Sequence, residues 1–169
     1  MSKENFYNTL RRSYATSVPH VGELGIEVTR LDAEAAEARL PCKPEFVGDI
    51  ERQLIHTGVV TTLIDSICGI ALLAHIGKPT RIATLDLRVD YLRPSRPGKD
   101  LWCRAECYRL TEQIAFLRAS VWQDDPAAPA CQGAMARLVA RGGRACGHDR
   151  ANGGRARAGH DSRPYRHMR

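Results

Sequence analysis

The longest apolar stretch of the chain, residues 58–76, constrains the fold more than any other feature. It reads GVVTTLIDSICGIALLAHI and is long enough to cross a bilayer as a helix. It also carries Thr61, Asp65 and His75, and a central Asp alone costs about 2.5–3.5 kcal/mol on membrane insertion. A helix that is apolar on all sides but holds these polar groups is typical of the core of a soluble protein. The sequence therefore predicts a long buried helix, ended by the turn at 77–79, and no membrane partner.

Two strand-like stretches precede this helix and four follow it. Apolar and charged residues alternate with the period of two that is typical of strands, most strictly from Leu85 to Tyr91. The strand candidates are residues 22–31, 34–42, 85–91, 101–107, 113–123 and 131–140. Residues 4–16 are predicted to form a short amphipathic helix, and residues 43–57 an irregular connection.

The order of these elements predicts the fold class. Short links between the last four strands imply antiparallel hairpins. An apolar helix and a largely antiparallel sheet bury their apolar surfaces best by packing on one another. We therefore expect an α+β protein in which one face of a curled sheet of about six strands covers the central helix.

Net charge divides the chain into two parts. The whole sequence has 25 Lys and Arg against 19 Asp and Glu, an excess that by itself favours a nucleic-acid or anionic-membrane partner. Residues 1–141 hold 18 basic and 17 acidic side chains, whereas residues 142–169 hold seven Arg and two Asp. That last segment lacks Val, Ile, Leu, Phe and Trp, too few apolar groups for folding. We predict one domain over residues 1–141 and a disordered Arg- and Gly-rich tail over 142–169. A weak interaction with nucleic acid or a metal is an alternative for the tail alone.

Cysteine usage and the first residues bear on the compartment. The six cysteines form no CxxC pair, and the chain opens Met-Ser-Lys-Glu-Asn without the apolar core of a signal peptide. The expectation is a reducing cytoplasm, free thiols and no metal site.

Asp65 is the most informative residue for function. Its sequence neighbours include Leu63, Ile64 and Ile67, and burial of an ionised group costs free energy unless a partner or a use compensates it. Two interpretations stay open: a structural role, such as capping or pairing with an Arg, and a catalytic role.

The triplet His56-Thr57-Gly58 stands at the start of the predicted helix. Amides of a first helical turn lack acceptors within the helix and lie at the positive end of its dipole. Such amides can bind a developing oxyanion, and Gly58 lets a carbonyl approach the backbone closely. Gly58 and Asp65 share a face but lie ~10.5 Å apart along the axis. If both act on one substrate they come from different subunits, which predicts a site across a dimer interface.

Two stretches of the chain resemble the hotdog-fold acyl-CoA thioesterases of the phenylacetate-pathway (PaaI) type. They are FVGDIERQLIHTGVVTTLIDSICGIAL and ATLDLRVDYLRPSRPG, and the family signature is His-Gly-Gly, an Asp nine residues after the His, and a strand that ends in Tyr and Pro. The resemblance covers about residues 20–141. It implies a hotdog fold, homodimers or homotetramers, and hydrolysis of an acyl- or aryl-coenzyme A thioester between subunits with no metal or bound cofactor.

The resemblance also implies roles for individual residues. Asp65 matches the catalytic carboxylate, Gly58 the glycine at the helix start whose backbone amides polarise the thioester carbonyl, and Thr84 a position that orients the water in some members. In two places the sequence departs from the family pattern. Thr57 replaces the first glycine of the signature, which would restrict the backbone or narrow acyl access. The polar Asn often found before the His has no obvious counterpart, and Asp49 or Glu51 is the nearest polar candidate.

Three further residues have two interpretations each. His56 either lines the pocket and contacts the thioester or makes a local loop hydrogen bond. Arg93 and Arg96 either bind coenzyme A phosphates, since guanidinium matches phosphate geometry, or belong to a charged, solvated turn.

The proposed chemistry leaves alternatives open. Asp65 would act as general base for water or as nucleophile through a mixed anhydride. The rival functions are a hotdog acyl-thioester dehydratase or hydratase, which would need a His beside the carboxylate, and a non-catalytic acyl-CoA-binding module. The chain has no Gly-x-Ser-x-Gly elbow, which argues against an α/β-hydrolase route.

Overall fold

The computed structural model of the protein describes residues 3–140. The predicted tail at 142–169 lies outside the described residues. The described chain contains three α-helices, one short 3-10 helix and eight strands. In chain order they are α1 (Lys3–Ser17), α2 (Pro19–Leu24), β1 (Glu27–Leu31), β2 (Ala35–Leu40), the 3-10 helix (Pro44–Phe46), β3 (Val47–Asp49), β4 (Leu54–Ile55), α3 (Thr57–Ile76), β5 (Ile82–Tyr91), β6 (Leu101–Leu110), β7 (Ile114–Trp122) and β8 (Cys131–Val139).

Six of the strands form one antiparallel sheet in the order β1-β2-β6-β7-β8-β5. Helix α3 packs against it, chiefly on β2, β6 and β7. Inward side chains alternate along β6, β7 and β8 with outward ones, as the period of two predicts. The α+β class and the curved six-stranded sheet around one long helix are confirmed.

Helix α3 is the core helix of this fold. It is the one described helix that is long and apolar enough to cross a membrane, and 56% of that window is buried inside the protein. Leu63, Ile64 and Ile67 are fully buried. The helix ends where the sequence predicts, because Gly77 adopts a left-handed φ of 75° and its N–H donates to the carbonyl of Leu73 at 3.0 Å.

Two segments differ from their predictions. The strand expected from residue 22 begins only at Glu27, because Pro19 starts the short helix α2 and Gly25 ends it with a φ of 77°. The connection 43–57, predicted to be irregular, contains the small β3–β4 hairpin. Gly48 allows this hairpin to lie against the start of α3, since a Cβ there would stand 2.7 Å from Cβ of His56.

Strand β5 lies at the edge of the sheet and, among the described strands, pairs only with β8. Its alternation does not produce a buried face in the single protomer. Leu85 is 54% exposed and Tyr91 46% exposed. Ile82, Leu87 and Val89 pack partly against the core, whereas Leu85 and Tyr91 stay largely uncovered within the described residues.

Candidate active site

Asp65 lies in the third turn of α3 and is less buried than its sequence neighbours predict. The side chain is 44% exposed, so the expectation of a carboxylate enclosed by apolar residues is wrong. The reason is helical geometry: Leu63, Ile64 and Ile67 face the sheet, while Asp65 lies on the side of α3 next to the edge strand β5. Within the described chain, the hydrogen bonds of the carboxylate all go to Oδ1.

Thr84 is the first partner of this carboxylate. Its hydroxyl donates to Oδ1 of Asp65 at 2.9 Å, so the structure brings together two of the residues that the sequence singled out. A register shift between Thr84 and Asp86 marks a bulge at Leu85. The strict alternation from Leu85 to Tyr91 would turn Thr84 away from the helix. The bulge reverses that direction, in keeping with the tendency of bulges to redirect side chains at functional sites.

Arg137, on β8, is the second partner. The pairing of Asp65 with an arginine was one of the two open interpretations, but the sequence did not identify Arg137 as that arginine. Its Nη2 donates to Oδ1 of Asp65 at 2.7 Å and to the backbone carbonyl of Asp65 at 2.6 Å. Arg137 stands directly opposite Thr84 in the β5–β8 ladder. A signal was available, since Cys131, Gly133, Met135 and Arg137 form the buried face of β8. An arginine at an inward position of a strand requires a partner for its charge.

The start of α3 is capped by His56. Nδ1 of His56 accepts a hydrogen bond from the amide of Gly58 at 3.0 Å, and the backbone carbonyl of His56 accepts from Val59 at 3.0 Å. The local interpretation of His56 therefore describes its contacts in the structure. The amide of Gly58 is engaged rather than free.

Thr57 is the first residue of the helix, and its amide has no acceptor inside the helix because of that position. The replacement of the family's glycine causes no backbone strain here, since Gln53 is the one described non-glycine residue with a positive φ. Thr57 and Gly58 are separated from Asp65 by two turns of a continuous helix, ~10–12 Å along the axis. The structure therefore keeps the two halves of the predicted site apart within one protomer.

An apolar cavity of about 240 Å³ adjoins Thr57. Its walls come from β4, the first turn of α3 and the end of β5, and its lining includes Leu54, Ile55, Val60, Tyr91, Leu92 and Arg93. The hydroxyl of Tyr91 forms a hydrogen bond with Oγ1 of Thr61 at 2.7 Å and donates to the carbonyl of Thr57 at 3.2 Å. These bonds fix the end of β5 to the helix start, another arrangement that the sequence analysis missed.

The remaining predicted site residues lie in loops. Asp49 accepts a hydrogen bond from the amide of Arg52 at 2.9 Å, so it is engaged in its own β3–β4 turn. Arg93 and Arg96 are exposed in the segment after β5. The structure brings Arg93 to the cavity beside Thr57, whereas the backbone of Arg96 is held by the side chain of Gln123.

Two titratable groups next to Asp65 are held in their neutral forms. Burial raises the pKa of the Cys68 thiol to about 12, so the thiolate that a nucleophile would need is absent near neutral pH. Burial also raises the pKa of Tyr14 to about 12, and its hydroxyl donates to the carbonyl of Ser66 at 2.7 Å. The five described cysteines form no disulfide in the structure. Between residues 3 and 140, no three His, Cys, Asp or Glu side chains cluster as a metal site would require.

Comparison with known proteins identifies the family. The model of the thioesterase superfamily matches residues 53–130. A candidate esterase of Halobacterium salinarum is 38% identical over 120 residues, which cover 66% of this chain and 75% of that protein. A medium/long-chain acyl-CoA thioesterase of Escherichia coli is 23% identical over 138 residues, which cover 74% of this chain and 88% of that protein.

Solved structures agree with this result. A Pseudomonas aeruginosa protein shares 33% identity at a TM-score of 0.70, over 80% of this chain and 99% of that chain. The PaaI protein of Escherichia coli shares the fold at a TM-score of 0.74, with 15% identity over 83% of this chain and 98% of its own. The chain belongs to the thioesterase superfamily. It has the hotdog fold, and it is an enzyme that hydrolyses thioesters.

Proposed function

We propose that this enzyme hydrolyses an acyl- or aryl-coenzyme A thioester to the free acid and coenzyme A, as a member of the PaaI type. The observation that carries the proposal is the state of Asp65. One carboxylate oxygen is held by two donors, the side chain stays 44% exposed, and the residue lies on the core helix of a thioesterase-superfamily chain. A fixed, solvent-accessible carboxylate can act as general base or nucleophile in the hydrolysis of an activated ester.

The second half of the proposed site is the start of α3. The amide of Thr57 is the donor for the thioester oxygen, because the amide of Gly58 already donates to His56. Gly58 contributes by its missing side chain, since a Cβ there would stand 2.9 Å from Nδ1 of His56. The helix dipole adds a favourable field for a developing negative charge.

The two halves meet when two protomers pair along β5. Contacts of this strand with α3 lie near its two ends, Thr84 beside Asp65 and Tyr91 beside Thr57. Antiparallel pairing of two β5 strands about their middle sets the Thr84 end of one strand against the Tyr91 end of the other. Asp65 of one protomer then faces the helix start of its partner. The exposed apolar side chains of β5 become covered, and two equivalent sites form. Dimers of this kind, or tetramers built from them, are the proposed assembly.

The reaction requires few groups. Asp65 accepts the proton of a water whose oxygen attacks the thioester carbon, or attacks that carbon itself to form an anhydride that water opens. Negative charge on the carbonyl oxygen is stabilised by the Thr57 amide. The carbon–sulfur bond then breaks, and coenzyme A leaves as a thiolate, which takes up a proton. Single-turnover hydrolysis in ¹⁸O-labelled water identifies the carbon that water attacks. Attack on the acyl carbon labels the released acid, whereas opening of an anhydride at the Asp65 carboxyl carbon leaves the label on Asp65 and establishes the anhydride route.

Other parts of the chain take supporting roles in this proposal. The cavity beside Thr57 receives the apolar acyl end, and Arg93 and Arg96 contact the phosphates of coenzyme A. The reaction uses no metal or bound cofactor and takes place in the cytoplasm. The catalytic domain spans residues 1–141, and the tail at 142–169 is dispensable for it.

The class of reaction is tested by thiol release from a panel of acyl- and aryl-coenzyme A esters of increasing chain length. We expect steady-state release with at least one of them, and Leu54→Trp, which fills the cavity, should shift the preference toward shorter chains. Failure of every ester would overturn the proposal. Consumption of an enoyl ester without thiol release would assign the dehydratase or hydratase alternative instead.

The shared site is tested by mixing two inactive variants. Asp65→Asn removes the carboxylate, and Thr57→Pro removes the amide hydrogen while keeping a residue that suits the first helical position. Random exchange should restore about one quarter of the wild-type activity, because half of the dimers are mixed and each has one intact site. A mixture as inactive as its components would contradict a site shared between protomers.

A further inference from the structure

Arg137 is the one charged side chain in the buried face of β8. It is 6% exposed, and its neighbours on that face are Cys131, Gly133 and Met135. An arginine so placed is costly unless its donors are satisfied. In residues 3–140, no buried side-chain nitrogen or oxygen lacks a hydrogen-bond partner. The hydrogen bonds of the Arg137 guanidinium therefore compensate the free-energy cost of burying it.

Two of those contacts are made to one residue, Asp65. Nη2 of Arg137 bonds both the backbone carbonyl of Asp65, at 2.6 Å, and Oδ1 of Asp65, at 2.7 Å. Because one atom, Nη2 of Arg137, bonds both the main chain and the side chain of Asp65, it restricts the rotation of the Asp65 side chain. Because Thr84 also donates to Oδ1, the other oxygen remains available for chemistry in a fixed position.

The guanidinium is itself held in place by its surroundings. Its Nε donates to the sulfur of Met135 at 2.9 Å. A Cβ on Gly69 of α3 would lie 3.5 Å from both terminal nitrogens, so the group lies against the glycine backbone. The exposed fractions of the pair are unequal, 8% for the Arg137 side chain and 44% for that of Asp65. Arg137 is thus buried and held in place by its contacts, and Asp65 is the solvent-accessible member of the pair.

We propose that Arg137 is a positioning residue of the hydrolytic site, acting through Asp65 without touching the substrate. The inference rests on the proposed function of Asp65. A site group that loses its supporting contact moves by an ångström or less, and a displacement of about 1 Å can cost about 100-fold in rate. Such a loss affects kcat and leaves substrate binding nearly unchanged.

The test uses Arg137→Ala, Arg137→Met and Arg137→Lys in the full chain. Met keeps most of the buried volume without a donor, so one variant remains informative if Ala fails to fold. Lys keeps the charge but not the planar fork. Arg104→Ala is the matched control, since Arg104 pairs with Glu37 on the outer face of the sheet. Melting temperature, kcat and KM are measured for each variant, with methylguanidinium at concentrations on the order of tens of millimolar as an added probe, well below denaturing concentrations.

The expected result is a kcat about 100-fold lower for Arg137→Ala and Arg137→Met, with KM within about threefold of the wild type. Methylguanidinium should raise the kcat of Arg137→Ala in a saturable way and leave Asp65→Asn unchanged. Arg104→Ala should keep the wild-type kcat. A folded Arg137→Met with wild-type kcat would overturn this inference alone. An inactive wild type, measured first, would overturn the proposed function and this inference with it.

Discussion

The hydroxyl of Thr84 donates to Oδ1 of Asp65 across 2.9 Å, from a strand position that the alternation of β5 would turn away from the helix. The bulge at Leu85 is what turns it inward. The edge strand thereby supplies a donor to the core helix. This hydrogen bond fixes the orientation of the Asp65 carboxylate, which lies on an exposed face of α3.

Removal of that hydroxyl should slow the reaction without abolishing it. Thr84→Ala is expected to lower kcat by about 10- to 100-fold, since a hydrogen bond to a charged group contributes about 1.5–3 kcal/mol. Thr84→Ser keeps the hydroxyl and should stay within about twofold of the wild type. Steady-state kinetics at saturating substrate measures both. Equal loss in the two variants would show that the methyl group, not the hydroxyl, matters.

The amide of Thr57 can be deleted without changing the helix. Thr57→Pro removes the N–H at a position that favours proline, and His56 already has the extended backbone (φ −61°, ψ 129°) that a residue before proline adopts. We expect kcat to fall by about 10²–10³, as for loss of one oxyanion donor. Thr57→Ala, which keeps the amide, is the control. Wild-type kcat in a folded Thr57→Pro would exclude this donor.

His56 should stabilise the protein by capping the N-terminus of α3. His56→Ala is expected to destabilise the protein by about 1 kcal/mol, because the amide of Gly58 loses its acceptor. His56→Asn restores an acceptor of good capping geometry and should recover most of the melting temperature and of kcat. If His56→Asn is as stable as the wild type but inactive, the imidazole itself contacts the substrate.

Ionised Asp100 contributes to the stability of the fold, and this contribution is lost at acid pH. The backbone amide of Cys42, at 2.9 Å, and the guanidinium of Arg39, at 2.7 Å, lower the pKa of Asp100. A carboxylate with a lowered folded-state pKa stabilises the fold above its unfolded pKa of about 3.9, and that contribution is lost as the pH falls through the lower folded value. Asp100→Asn should therefore melt below the wild type at pH 7, and the difference should shrink as the pH falls below about 3.9. A constant difference over this range would contradict the assignment.

The sequence was sufficient for the elements whose pattern is local. The apolar run of α3 and the period of two in β6 to β8 depend on neighbouring residues alone, and both were predicted closely. The short helix at Pro19 was missed because residues 22–31 have a strand-like pattern, while proline at a first helical position begins a helix just before them. Edge position also escaped prediction, since β5 has the alternation of a half-buried strand and loses its cover only because of its place in the sheet.

The candidate site divides in the same way. Asp65, Thr84 and the start of α3 follow from residue type and spacing. The bulge at Leu85 depends on the hydrogen-bond register with β8, a long-range property with no local signature. Arg137 was within reach of sequence reasoning, because its inward position follows from the alternation of β8. Its partner was not, since the sequence does not reveal which helical carboxylate lies above that point of the sheet.

The most direct measurement of the central claim compares kcat of the wild type with that of Asp65→Asn on the best coenzyme A ester of the panel. The asparagine oxygen can still accept the hydrogen bonds of Thr84 and Arg137, so the fold should be kept, as the melting temperature would verify. Asp32→Asn, in the exposed turn between β1 and β2, is the matched control. We expect a loss of about 10²–10⁴ in kcat for Asp65→Asn alone. A folded Asp65→Asn that releases thiol as fast as the wild type would contradict it.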